Sequence, residues 1–252
     1  MVTSQAEDST VATRVAKYFS CTRGKVNYLT HISRRHGAVF VEVPKAGCTV
    51  VKRVMQHSEY GGQPYQPPVS VHDRSTSPLA TPLRGGFDVD EVFGPDSPYF
   101  RFAFVRNPFS RALSCYLEKI AGAQWLRDKR LPVLGFRADE QVSFRAFLEA
   151  VAEQRPVEMD IHWAPQTLLL GLPRVRYGFI GRFESFQQDL LTVIDLVGLE
   201  APEQLWRQQS PHSTQARSRL SEHYDDRCEE LVRRIYADDF ERLGYGFDLR
   251  GA

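Results

Sequence analysis

Three short apolar runs, each followed by a helical pattern, most constrain how this chain can fold. They are Ala38–Val43 (AVFVEV), Phe100–Val105 (FRFAFV) and Tyr177–Phe183 (YGFIGRF). Runs of β-branched and aromatic residues of this length indicate buried strands. Strands that alternate with helices form a mainly parallel sheet with helices packed on its faces. The sequence therefore predicts an α/β fold of three layers around a central, mainly parallel sheet.

Helical patterns follow these strands. Asn107 is a suitable N-cap and Pro108 suits the first helical position, so a helix is expected to begin there. Apolar residues at helical spacing predict five helices: Thr49–His57, Pro108–Ile120, Val142–Ala152, Phe186–Val197 and Glu222–Leu243. Residues 61–98 are rich in Pro, Gly and Ser, which predicts a loop with one short strand at Val69–Val71.

Length and composition indicate one globular domain. The chain has 252 residues, of which 42% are hydrophobic, an ordinary value for a folded protein. Residues 1–35 are predicted to be an N-terminal extension, disordered in part, and residues 36–252 a single domain. The sequence has no run of 18 apolar residues and no signal-peptide pattern, and its four cysteines are far apart. These features predict no membrane span, reduced thiols and a cytoplasmic location.

The net charge of +1 hides a separation of charge along the chain. Residues 14–53 hold nine Lys or Arg against one acid, and residues 101–137 hold eight against two. Residues 222–241 reverse the balance, with eight acids against three Arg. Two basic segments suit the binding of an anion such as phosphate, but the same pattern also fits a solvated face. The isoelectric point of about 7.7 argues against a nucleic-acid partner.

The first basic segment contains a short loop, PKAGCT at residues 44–49, between a strand and a helix. A helix N-terminus after a tight loop supplies the N–H groups and the positive dipole that a phosphate needs. Lys45 adds charge, Gly47 allows close approach of the backbone, and Thr49 adds a hydroxyl. This predicts a P-loop-like site, although GxxxxGK[ST] and GxGxxG are both absent. Taken alone, such a turn can also be purely structural.

The second basic segment is FAFVRNPFSRALSCY, in which Arg106 stands between a strand and a proline-started helix. This position again favours an anion. Ser114 follows two turns along the helix. By itself, the segment also fits a capped helix with a surface arginine.

Together the two segments resemble the sulfotransferases, and most closely the Golgi carbohydrate sulfotransferases that act on the human natural killer epitope and on chondroitin. The resemblance covers residues 36–248 and includes a 5′-phosphosulfate loop and an Arg-x7-Ser motif for the 3′-phosphate. Four further segments match in order: Val71–Asp73 (VHD), Ile161–Gln166 (IHWAPQ), YGFIGRFESFQQDL from Tyr177, and the closing segment from Glu222.

The resemblance implies that the donor is 3′-phosphoadenosine 5′-phosphosulfate (PAPS), with PAP as product and without a metal. It implies that Lys45 contacts the 5′-phosphate and the bridging oxygen. It implies that Gly47, Cys48 and Thr49 donate hydrogen bonds to the 5′-phosphosulfate, with Cys48 as a small polar neighbour rather than a nucleophile. Arg106 and Ser114 would bind the 3′-phosphate.

The acceptor hydroxyl needs a general base, for which histidine is the usual side chain near neutral pH. His72 is the first candidate, because a histidine in a comparable interval is the base of the related uronyl 2-O-sulfotransferases. His162 in the IHWAPQ segment is the second. Glu42 and Asp73 are weaker candidates.

Several features differ from the resembled family, whose members carry a membrane anchor and characteristic cysteine pairs. Residues 61–98 and 124–137 do not match it, so the acceptor could be a carbohydrate or another small molecule with a hydroxyl. A phosphotransferase and a non-catalytic protein that binds nucleotides or polyanions are the alternative functions. The oligomeric state is open.

Overall fold

The computed structural model of the protein describes residues 14–61, 70–84, 86–207 and 215–251. The chain divides into two compact units, residues 1–105 with 168–210 and residues 106–167 with 211–252. The described strands all belong to the first unit, and the described part of the second unit is helical. The single domain over residues 36–252 stays a prediction.

The first unit is built around a four-stranded sheet in the order β1-β2-β3-β4. Its strands are β1 (Thr30–Ser33), β2 (Ala38–Val41), β3 (Phe100–Val105) and β4 (Phe179–Arg182). Strand β1 is antiparallel to β2, whereas β2, β3 and β4 are parallel to one another. The predicted α/β fold with a mainly parallel sheet is thereby confirmed. Because β1 pairs with β2, the boundary predicted after residue 35 falls between two hydrogen-bonded strands.

The helices of the two units follow one another along the chain and are numbered in that order. They are α1 (Arg23–Leu29), α2 (Cys48–Glu59), α3 (Val89–Phe93), α4 (Pro108–Cys115), α5 (Gln124–Arg130), α6 (Phe144–Ala152), α7 (Gln166–Leu169), α8 (Phe186–Val197), α9 (Glu203–Arg207), α10 (Leu220–His223), α11 (Asp226–Ile235) and α12 (Ala237–Leu243). Residues 14–18 are also helical. A π-helical turn, Tyr116–Ile120, continues α4. None of the helices in the described ranges is long and apolar enough to cross a membrane.

The single long helix predicted at Glu222–Leu243 is wrong, because the segment forms three helices. Asp225 has an extended backbone and its carboxylate accepts a hydrogen bond from the Cys228 N–H at 2.8 Å, which starts α11. Tyr236 separates α11 from α12 with φ −113° and ψ 28°. Its buried hydroxyl donates to the carbonyl of Trp163 at 2.9 Å. The predicted strand Val69–Val71 has Val69 outside the described residues, and Ser70 and Val71 are not in a strand.

Aromatic packing in the first unit fixes the position of the loop that follows β2. The rings of Phe40 in β2 and Phe102 in β3 stack with centroids 5.3 Å apart. Phe104 packs against Phe186 of α8 at 5.1 Å. The three rings of the sheet are buried, and each contributes about 1.5–3 kcal/mol of hydrophobic stabilisation. The sheet and α8 therefore pack against each other, and the PKAGCT loop packs on α8 through Gly47 and Phe186.

Candidate active site

The PKAGCT loop makes a tight turn between β2 and α2. Lys45 and Gly47 both have positive φ, 75° and 86°, and α2 begins at Cys48. Positive φ is uncommon for a residue other than glycine and occurs at ligand-binding turns. The first N–H groups of a helix have no acceptor within the helix, and they attract anions. The predicted strand–loop–helix is therefore present, with a lysine and a helix start at the same turn.

Gly47 is required by space as well as by backbone conformation. A Cβ at this position would lie 2.3 Å from Cε2 of Phe186. Phe186 is itself held against Phe104 of the sheet. The loop thus packs closely on α8.

Cys48 is buried beside the Glu42 carboxylate. Burial, with a further contribution from Glu42, raises the pKa of the Cys48 thiol to about 12. The thiol is therefore protonated at neutral pH, which suits the predicted role as a polar neighbour and not as a nucleophile.

His72 lies against the first turns of α2 and contacts two of its side chains. Its Nε2 is 3.2 Å from the hydroxyl oxygen of Thr49. Its Nδ1 is 2.6 Å from the ammonium nitrogen of Lys52. The structure therefore brings His72 together with the PKAGCT loop, through Thr49.

Lys52 belongs to a buried cluster of side chains that also contains Glu42 and His31. Its ammonium nitrogen is 2.9 Å from Oε2 of Glu42, and the same oxygen is 2.9 Å from Nε2 of His31. Burial alone would raise the pKa of Glu42, but Lys52 and His31 hold it well below its usual value. Burial would likewise lower the pKa of Lys52, but Glu42 raises it. Glu42 and Lys52 are thus a buried ion pair at neutral pH, and Glu42 is a poor candidate for the base.

The predicted 3′-phosphate residues both lie at α4 in the second unit: Arg106 is two residues before the helix, and Ser114 is its penultimate residue. Asn107 caps α4 through its side chain, which accepts from the Phe109 N–H at 3.0 Å, and Pro108 occupies the first turn as predicted. The Arg106 Nε donates to the Ser110 hydroxyl at 3.1 Å. Ser110 and Ser114 are four residues apart and lie on one face of the helix. This face therefore presents a guanidinium and two hydroxyls, all on buried residues.

The backbone of Arg106 is held by Gln166, the last residue of the IHWAPQ segment. The Gln166 side chain accepts from the Arg106 N–H at 2.9 Å and donates to its carbonyl at 2.7 Å. Asp239 in turn accepts from the N–H groups of Gln166 and Thr167, both at 2.8 Å. Gln166 and Asp239 are both fully buried. The IHWAPQ segment thus positions the arginine predicted to bind the 3′-phosphate.

His162 pairs with a carboxylate in the second unit. Its Nδ1 is 2.6 Å from Oδ1 of Asp160, whose other oxygen is 2.7 Å from Arg130. An ionised carboxylate only accepts, so Nδ1 carries the hydrogen and Nε2 has the lone pair. Burial lowers the pKa of His162 below its ordinary 6.5, although Asp160 opposes this. His162 is therefore neutral at pH 7 with Nε2 available as a proton acceptor.

The remaining base candidate, Asp73, is exposed and accepts hydrogen bonds from Ser75. Among the described residues, no group of three His, Cys, Asp or Glu side chains could hold a metal ion. That the reaction needs no metal stays a prediction.

Three residues of the site were not predicted from the sequence: Lys52, Ser110 and Asp160. Each of them could have been found from its sequence separation from a predicted site residue. Lys52 is three residues after Thr49 and Ser110 four before Ser114, both neighbouring positions on a helix. Asp160 precedes His162 by two residues, close enough for its side chain to reach the ring.

A mainly parallel sheet flanked by helices, with a tight turn at the start of a helix, defines an α/β protein. A sequence model of the Sulfotransferase family matches residues 29–246. The chain belongs to this family, and the resemblance inferred from the sequence is confirmed.

The curated relatives carry more specific names. Carbohydrate sulfotransferase 8 of Mus musculus is 28% identical over 96% of this chain and 62% of its own length. Carbohydrate sulfotransferase 14 of Homo sapiens is 29% identical over 66% of this chain and 46% of its own length. The chain thus spans about half to three fifths of the length of these relatives. No solved structure matches the chain.

Proposed function

We propose that this protein is a sulfotransferase that moves the sulfuryl group of PAPS to a hydroxyl of a carbohydrate. The observation that carries the proposal is the PKAGCT turn, with Lys45 and Gly47 at positive φ before α2, in a member of the Sulfotransferase family. The turn supplies N–H donors and a cation where a dianionic phosphosulfate would need them.

Different residues are proposed to bind the two phosphate-bearing ends of PAPS. Lys45 and the N-terminus of α2 bind the 5′-phosphosulfate, and Gly47 and Thr49 donate to its oxygens. Arg106 binds the 3′-phosphate with the hydroxyls of its helix, including Ser114. A guanidinium suits this role because its N–H groups bind two phosphate oxygens at once. Bound PAPS supplies the sulfuryl group and a phosphate leaving group.

The transfer is an in-line displacement. The acceptor oxygen forms a bond to sulfur while the bond from sulfur to the phosphate oxygen breaks, as in phosphoryl transfer. The hydroxyl proton passes to the base, and Lys45 stabilises the negative charge that develops on the leaving oxygen. Lysine fits here because its ammonium is a compact point charge.

His162 is proposed as the base in preference to His72. Its Nδ1 hydrogen faces Asp160 at 2.6 Å, so Nε2 is the accepting atom. The ring nitrogens of His72 face Lys52 and Thr49 instead. The choice of His162 is thus supported by the hydrogen bonds of the two rings. The position of His72 between the two phosphate motifs had favoured His72 instead.

A carbohydrate acceptor is supported by the names of the relatives, which are carbohydrate sulfotransferases. A small non-carbohydrate molecule with a hydroxyl is the second candidate. The cytoplasmic location is proposed from the sequence alone, and cell fractionation with an antibody to the chain tests it.

Incubation with sulfur-labelled PAPS and a panel of saccharides and phenols tests the function. We expect label in a saccharide, loss of transfer in Lys45→Ala, and normal transfer in Lys129→Ala, a change of an exposed lysine. Label in phenols alone would contradict a carbohydrate acceptor and favour a small non-carbohydrate molecule with a hydroxyl. Binding of PAP without transfer to any hydroxyl would favour the non-catalytic alternative.

A further inference from the structure

Six side chains of the first unit form a continuous chain of hydrogen bonds that ends at the PKAGCT loop. In order, they are Arg74, His31, Glu42, Lys52, His72 and Thr49. Arg74 also donates to the backbone carbonyls of Asn27 and Thr30, at 3.0 and 2.7 Å. Arginine and charged lysine only donate hydrogen bonds, and a carboxylate only accepts them. Arg74 and Lys52 can therefore only donate, and Glu42 can only accept. These three side chains determine which atom donates in every other hydrogen bond of the series.

The position of the hydrogen on His31 follows from the two groups that face its ring. Arg74 contacts Nδ1, so Nδ1 must accept. The other nitrogen, Nε2, therefore carries the hydrogen and donates to Glu42 at 2.9 Å. Burial lowers the pKa of His31 to about 3, so the ring is neutral, as this arrangement requires.

His72 is constrained in the same way. The Lys52 ammonium lies 2.6 Å from Nδ1, so this nitrogen must accept. Nε2 then carries the hydrogen, and it donates to the Thr49 hydroxyl oxygen at 3.2 Å. The opposite tautomer would place an N–H hydrogen against an ammonium group. Lys52 would have to lose its proton first, although it lies 2.9 Å from the Glu42 carboxylate.

The tautomer of His72 determines where the hydroxyl hydrogen of Thr49 points. A hydroxyl has one hydrogen and two lone pairs. Because its oxygen accepts from His72, its single hydrogen points away from the ring. In a loop that binds an anion, that hydrogen is then available as a donor to the ligand.

We propose that Lys52 holds His72 as the Nε2–H tautomer, and that His72 thereby directs the Thr49 hydroxyl as a donor towards the anion bound by the PKAGCT loop. His72 is then a positioning residue that acts through Thr49. Only the identity of the anion rests on the proposed function. The arrangement of hydrogens follows from the side chains of this unit alone.

Nitrogen NMR of the unmodified protein, labelled with ¹⁵N in histidine, tests the tautomer directly. The His72 signals are assigned by their disappearance in His72→Gln. At neutral pH we expect a protonated Nε2 and an unprotonated Nδ1. A hydrogen on Nδ1 would overturn the proposal whatever the protein binds, so this result is independent of the sulfotransferase assignment.

Substitution of His72 tests the consequence. Glutamine places an amide donor near the position of Nε2 but cannot accept a proton as a base. We expect His72→Gln to keep PAP affinity and turnover within about threefold, and His72→Ala to lose about tenfold in affinity. Equal loss of turnover in both variants, with PAP affinity unchanged in both, would instead identify His72 as the base.

A double-mutant cycle tests the path through Thr49. Thr49→Val alone should weaken PAP binding about tenfold, and adding His72→Ala should weaken it little further. Thr49→Ser keeps the hydroxyl and should therefore bind PAP more tightly than Thr49→Val. Fully additive losses would show that His72 acts without Thr49, against the proposal. Failure of every variant and of the unmodified protein to bind PAP would contradict the proposed function but not the tautomer.

Discussion

Lys45 combines a strained backbone with the charge that the proposed chemistry needs. Its φ of 75° is unfavourable for any residue with a Cβ, by about 1–2 kcal/mol relative to glycine. Glycine at this position would relieve the strain, yet the chain has a lysine. Strained residues of this kind occur where a ligand is bound, and the strain is compatible with a stable fold because the surrounding packing holds it.

We expect Lys45→Gly to separate stability from activity. The free energy of unfolding should stay the same or rise by about 1 kcal/mol, because glycine adopts positive φ without strain. Turnover should fall at least about 100-fold, since the cation that neutralises the leaving oxygen is lost. Urea unfolding and the labelled-donor assay measure the two effects. A variant that is both less stable and fully active would contradict this interpretation of Lys45.

If His162 is the base, as proposed, the pH dependence of transfer follows the titration of its ring. Its pKa lies below the ordinary 6.5, and the neutral ring is the active form of a base. The rate should therefore be constant above this pKa and fall as the pH drops through it, with the midpoint of the acid limb below about 6.5. A profile of kcat/KM against pH checks this. A midpoint above about 7 would point to a different base.

Asp160→Asn should change that profile in a defined direction. Asp160 raises the pKa of His162, so its loss should move the acid limb to lower pH. It also removes the acceptor that keeps the hydrogen on Nδ1, so the plateau should fall roughly 100-fold or more. Asp128→Asn, on the exposed face of α5, is the control and should leave the profile unchanged. An unchanged profile in Asp160→Asn would exclude His162 as the base.

Among the elements of the first unit, the contact of the PKAGCT loop with α8 should be visible in stability. Gly47→Ala adds a Cβ that would lie 2.3 Å from the Phe186 ring, at a φ of 86°. Gly198→Ala has a similar φ of 70° with no atom within 4 Å of the added Cβ. Gly47→Ala should therefore lower the free energy of unfolding by about 1–3 kcal/mol more than Gly198→Ala. Equal losses in urea unfolding would mean that the loop and α8 are loosely packed.

Asp239 connects α12 to the start of α7 in the second unit. Its carboxylate accepts three hydrogen bonds at 2.8 Å from Gln166 and Thr167, and Gln166 in turn holds the backbone of Arg106. Asp239→Ala would leave buried N–H groups without acceptors, so the free energy of unfolding should fall by about 2–4 kcal/mol. At temperatures where the variant is folded, PAP affinity should also fall. Unchanged stability would show that water replaces the carboxylate.

The elements that could be predicted from the sequence are those with strong local patterns. FRFAFV forms the strand Phe100–Val105 with the predicted bounds, and the Asn107–Pro108 pair starts α4 as expected. Strand β1 was missed because THIS at 30–33 is short and has three polar residues out of four, and it is a strand only through its pairing with β2. The break at Tyr236 was missed because it depends on a hydrogen bond to Trp163, 73 residues away in sequence.

In the candidate site, too, local features could be predicted from the sequence, and features that depend on the fold could not. The residue types proposed to bind an anion were visible as motifs, because a loop and a helix start are local features. The roles of the two histidines were not, because they depend on which group faces each ring nitrogen. Lys52 and Asp160 decide that, and only the fold places them.

For the molecule as a whole, the proposed function requires that the two basic segments bind the two phosphate ends of PAPS. The 3′-phosphate distinguishes PAP from the adenine nucleotides used by kinases. Arg106, the residue proposed to bind the 3′-phosphate, is buried beside Ser110, and Gln166 fixes its backbone. The residues proposed for the 5′ end are Lys45 and the N-terminus of α2, both in the first unit.

Calorimetric titration of the whole chain with PAP, and in parallel with ATP and Mg²⁺, measures this requirement. We predict micromolar binding of PAP, at least about tenfold weaker binding in Arg106→Lys because the bidentate contact is lost, and no measurable binding of ATP. Tighter binding of ATP with Mg²⁺ than of PAP would contradict the proposed function.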